Sequence, residues 1–158
     1  MSTEGPPQGA RPPGGAARSD ARGEHTGLQI VQPPGWAPPR GFANGISVSG
    51  RLVFVAGQIG WNGTAQFESD DFVAQVAQAL RNVVAVLAEG GATPEHIARM
   101  TWYVTDRSEY LRRAKEIGVV YREIIGRHYP AMTAVEVSAL IEERARVEIE
   151  ATAVIPDR

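Results

Sequence analysis

Three kinds of side chain in this sequence are equipped for chemistry. Glu148 and Glu150 stand two apart in Val147-Glu148-Ile149-Glu150-Ala151, where strand alternation puts both carboxylates on one face and Val147 and Ile149 on the other. An acid facing away from the core is either a paired interface carboxylate or a group at work on a ligand; Glu136 reads as the structural kind. Phe42, Trp61, Trp102 and Met132 are of the types that line apolar ligand pockets, the alternative being core for Trp102 and loop packing for Trp61. His25, His96 and His128 have no His-x-His or His-x-x-x-His spacing, which argues against a zinc site. His128, just before Tyr129-Pro130, has the pKa class for proton transfer, its alternative being an exposed residue after a helix. With no cysteine there is no disulfide framework, thiolate metal site or cysteine nucleophile, as suits a reducing cytoplasm.

The elements that must hold these groups fit one domain. A chain of 158 residues, 43% hydrophobic, can build a single core. A net charge of −2 gives no general attraction to nucleic acid or anionic membrane, and neither a membrane span nor an export signal is legible. The expectation is a soluble, cytoplasmic protein. Residues 1–26, rich in Gly, Pro, Ala, Arg and Ser, read as a disordered tail, and residues 27–158 as the folded domain.

A short strand is expected near Gly27 to Val31. The runs Ile46 to Val48 and Leu52 to Ala56 then follow, paired as a hairpin across Ser49-Gly50-Arg51. Ser69 is the expected N-cap of a helix to about Glu89, with Phe72, Val76, Leu80, Val83 and Leu87 as its buried stripe and Gly90-Gly91 as its stop. Thr93-Pro94 starts one short turn, and Ile97 to Thr105 reads as strand. One further helix is expected from Asp106 or Ser108 to Gly126, with Tyr110, Leu111, Ala114, Ile117, Tyr121 and Ile124 inward. Strands over 132–140 and 145–154, joined by a turn at Glu142-Glu143-Arg144, close a two-layer α+β domain of order β-β-β-α-β-α-β-β. Helices cover one sheet face; the other carries apolar residues and predicts oligomerisation.

Several segments together carry a resemblance: Arg51-Leu52-Val53-Phe54-Val55-Ala56-Gly57-Gln58-Ile59; Gly91 to Thr105 with its Pro turn; Pro130-Ala131; and Glu148-Ile149-Glu150-Ala151. In order and spacing they resemble the RidA (YjgF-like) imine/enamine deaminase family, over roughly Gly41 to Val154. That resemblance implies a chorismate-mutase-like fold and a homotrimer with a central β-barrel. It also implies clefts between subunits in which imines or enamines such as 2-aminoacrylate are hydrolysed without metal or organic cofactor.

Mapped onto the family's pocket, Glu148 matches the glutamate that positions water, and Gly57 and Thr133 are hydrogen-bond donors. The family's carboxylate-binding arginine falls on Met132, its pocket tyrosine on Phe42, a serine on Ala56, a small polar residue on Ala134 and a helix asparagine near Gly118. Methionine cannot make the bidentate charge-assisted pair of arginine. The expected function is therefore a RidA-like deaminase or hydrolase with Glu148 catalytic and Phe42, Gly57, Met132, Thr133, Ala134 and Trp61 binding the substrate. The expected ligand is apolar or aromatic, uncharged compounds included. The alternatives are a non-catalytic small-molecule-binding or regulatory trimer using the same cleft, and a structural or chaperone-like trimer.

Overall fold

A computed structural model describes residues 26–157; the expected tail, apart from Thr26, lies outside the described residues. The chain runs β1 (Gln29–Val31), β2 (Gly45–Ser47), β3 (Arg51–Ile59), α1 (Phe72–Glu89), a 3₁₀ turn (Pro94–His96), β4 (Ile97–Val104), α2 (Arg107–Arg112), α3 (Ala114–Ile124), β5 (Ala131–Glu136) and β6 (Val147–Ile155). The main sheet has the order β3-β6-β4-β5, with β4 and β5 parallel and the other pairs antiparallel. The α+β class expected from sequence holds, with one helix more than expected.

Helix α1 forms the floor of the core. Phe72, Val76, Leu80, Val83 and Leu87 are all buried, as the stripe requires, each side chain contributing roughly 2 kcal/mol of transfer free energy. The helix is long and apolar enough by composition to cross a membrane, which was not expected, but half of it is buried within the protein. Its cap is Asp71, not Ser69: the Asp71 carboxylate accepts from Ala74 N–H at 2.9 Å, while Ser69 Oγ accepts from Asp71 N–H at 3.0 Å. The carboxylate gains a second partner that the serine would not, Arg113 at 2.5 Å.

Three expectations about connections are corrected. Strands β2 and β3 are not a hairpin: β2 pairs with β1, and β3 with β6. Gly50, at φ +146°, instead lies against the end of β6, where a Cβ would come within 2.8 Å of the Ile155 carbonyl carbon. Nor are β5 and β6 a hairpin, since β4 lies between them. Strand β5 ends at Glu136, and residues 137–146 step across the end of β4, whose Val104 carbonyl accepts from Val137 N–H. The expected second helix is broken at Arg113, whose φ of −101° and ψ of 16° end α2 before α3 begins. The break rotates the stripe, so Leu111 is 55% exposed while Ile117, Tyr121 and Ile125 are buried.

Buried Gln75 of α1 ties the helix layer to β6. Its Nε2 donates to the carbonyls of Ser69 and Arg144, and its Oε1 accepts from Arg146 N–H at 2.9 Å. The start of β6, two residues before Glu148, is thereby fixed.

Candidate active site

The alternation of β6 is as expected: Val147, Ile149 and Ala151 are buried beneath the helices, and Glu148 and Glu150 leave from the open face. Glu150 accepts from the Tyr103 hydroxyl at 3.1 Å, which raises the Tyr103 phenol above its ordinary pKa. No described residue hydrogen-bonds the Glu148 carboxylate. Gly57 lies against that group: a Cβ there would come within 2.7 Å of Glu148 Cδ and closer still to Oε1. The β3–β6 register shifts between Val55 and Gln58, so Gly57 sits at a bulge, where a strand bends and an extra residue escapes pairing. Its most direct contribution is room for the glutamate.

On β5 the side chains divide. The parallel register sets Met132 beside Met100 and Ala134 beside Trp102, on the helix side, and Thr133 beside Thr101 on the open side. Met132 and Ala134 line a cavity of about 630 Å³ beneath α3, with Arg40, Gly41, Phe42, Tyr110, Gly118 and Arg122 around its rim and walls. Phe42 reaches it because Gly41 turns at φ +77° and Ala43 bridges Ala131, its N–H donating to the Pro130 carbonyl at 2.9 Å.

The deep wall is aromatic. Tyr121 stacks on Tyr129 at 5.7 Å between centroids, and Trp102 meets Tyr110 edge-on and Tyr121 obliquely, each at 6.4 Å. Trp102 is 2% exposed and its Nε1–H is buried without an acceptor among the described residues. Burial pushes the Tyr110 and Tyr121 phenols above their ordinary range; Tyr121 donates to the His128 carbonyl at 2.7 Å.

Of the residues proposed from sequence, Phe42, Met132 and Ala134 come together with Gly118 in the cavity wall. Glu148 and Gly57 meet on the open face, which Thr133 shares at β5. Trp61 joins neither group: it bridges to Phe67, with ring centroids 6.1 Å apart, and its carbonyl accepts from Asn82. His128 is held inward, with Nε2 2.6 Å from the Ile97 carbonyl. Tyr110 and Tyr121 were legible only as core, Tyr129 only as the residue before Pro130, and Arg40 and Arg122 carried no signal distinguishing them from solvated charges.

The sheet therefore separates a cavity under α3 from a carboxylate on the far face. Comparison with known proteins gives this arrangement a context. A family model described as endoribonuclease L-PSP matches residues 36–155. A RutC family protein of Aquifex aeolicus is 34% identical over 128 residues, covering 80% of this chain and 98% of the relative. The conserved Rid family protein YyfB of Yersinia pestis, of unknown function, superposes with a TM-score of 0.73 at 31% identity, covering 81% of this chain and 98% of that one. TdcF of Escherichia coli with bound serine superposes with a TM-score of 0.57 at 29% identity, covering 80% and 98%; TdcF is named as a candidate reactive intermediate deaminase. The chain belongs to the RidA (YjgF-like) family.

Proposed function

We propose that this chain is a RidA-like hydrolase that deaminates an imine or enamine carrying an apolar or aromatic group, at a site completed between neighbouring copies of a homotrimer. The carrying observation is the Glu148 carboxylate, which has no hydrogen-bond partner among the described residues and has Gly57 opposite it to make room. The face it shares also exposes Leu52, Phe54 and Val135, apolar surface that a second copy would cover. Across that contact, the glutamate of one chain would meet the cavity of the next.

The reaction needs one water. An enamine first tautomerises to the imine; Glu148 then accepts a proton as the water oxygen bonds to the C=N carbon and returns it to nitrogen, giving a carbinolamine. The same carboxylate next takes the carbinolamine's hydroxyl proton and passes it to nitrogen, so that the C–N bond breaks and ammonia leaves as the carbonyl forms. Met132, Phe42 and Ala134 turn the family's polar pocket positions apolar, while the rings beneath α3 offer faces for an aromatic substituent.

The test is ammonia release from imines generated in situ by amino-acid oxidase acting on phenylalanine and on alanine. The expected outcome is faster turnover of the aromatic imine, and a loss of about a hundredfold or more in Glu148→Gln. Equal rates for Glu148→Gln and the parent chain would exclude the carboxylate from the reaction. Binding of an aromatic ligand with no turnover of any imine would leave a binding protein.

A further inference from the structure

The substitution at Met132 removes a cation from β5, but it does not leave the cavity without one. Arg122 of α3 lines the same cavity. Its Nη1 lies 3.3 Å from where a Cβ on Gly118 would stand, so the side chain lies back along the helix over that glycine. The helix gives this guanidinium no counter-charge. Positions four residues away are Gly118 and Gly126, and those three away are Val119 and Ile125. The arginines in ion pairs among the described residues are Arg113, Arg144 and Arg146. Arg122 thus stands over an aromatic-walled cavity as a planar donor group with no ion-pair partner among the described residues, the type suited to a carboxylate.

We infer that Arg122 is the carboxylate-holding residue of this cavity, and that its ligand is an anion on an aromatic frame, such as an arylalkyl carboxylate or the corresponding imino acid. This rests on the cavity being the substrate-binding half of the site proposed above. The cation has moved from the sheet to the helix, and the apolar side chain at Met132 packs against the ligand's body. Gly118 keeps the path of the guanidinium open.

Equilibrium binding to the full-length protein tests this with phenylacetate and phenylacetamide, which share a shape and differ in charge. The parent chain should prefer the carboxylate by about tenfold or more, the range for hydrogen bonds to a charged group. Arg122→Met should lose that preference while keeping its affinity for the amide, and Arg122→Gln should behave alike. Arg40→Met, altering the other rim cation, should keep most of it. No preference in the parent, a preference surviving in both Arg122 variants, or its loss in Arg40→Met with retention in Arg122→Met would overturn the inference. The two readings fail separately. Selectivity that follows Arg122 with no turnover of any imine keeps the clamp and removes the hydrolase; turnover that depends on Glu148 with no selectivity following Arg122 keeps the hydrolase and removes the clamp.

Discussion

His128 shows how a residue with apparent catalytic credentials can be structural. It precedes Tyr129 and the cavity, yet its ring is 2.6 Å from the Ile97 carbonyl and its own carbonyl accepts from Tyr121. Burial lowers its pKa below the ordinary 6.5, outweighing the bond to Ile97, which raises it. The folded chain therefore favours the neutral ring, while the unfolded chain takes up a proton on passing below 6.5. The ring's contribution to stability is present above that value and is lost as pH falls through the lowered folded pKa. Melting temperatures at about pH 7.5 and about pH 5 should show the parent's advantage over His128→Gln shrinking on acidification. An advantage that stays constant would mean the ring does not titrate between those values. The β6 alternation made Glu148 legible in sequence, because a strand has only two faces. The opportunity offered by Arg122 was not legible, because it depends on an absence of carboxylates three and four residues away and on a cavity assembled from distant segments.

At the scale of elements, local patterns were read well and partnerships less well. The α1 stripe was correct at every position because helical periodicity is intrinsic to the segment. The hairpins were not, because adjacency in sequence favours pairings that the fold replaces: β2 is taken up by β1, and β4 lies between β5 and β6. The cap of α1 was misplaced by two residues for a related reason: serine and aspartate are both good caps, and only the tertiary contact of Asp71 with Arg113 separates them. Arg113 and the Ala74 N–H hold the Asp71 carboxyl below its ordinary range. Arg113 also bonds Glu116, so one side chain at the α2–α3 break fastens both α3 and the start of α1. Asp71→Ala should lower stability by about 1–2 kcal/mol, most of it from the cap and little from the half-exposed ion pair. Urea midpoints check this, and a change below about 0.3 kcal/mol would mean that Ser69 or water replaces the cap.

At the scale of the molecule, the sheet is finished on one face only. Phe54 is 72% exposed on the open face, with Leu52 and Val135 also uncovered. This is the apolar strand surface that the proposed trimer contact would cover. Phe54→Glu should yield particles of single-chain mass in light scattering, with helical circular dichroism retained. Particles of about three times that mass would show that the contact lies elsewhere. The separation of Met132 from Glu148 by the sheet has a consequence for mixed populations. In the closed ring proposed above, each chain would serve two junctions, lending a cavity to one neighbour and a carboxylate to the other. A chain defective in one half therefore spoils only one junction, and two chains defective in different halves can between them assemble an intact site. Damage in such a protein follows the arithmetic of complementation, set by which neighbours meet as well as by how many chains are altered.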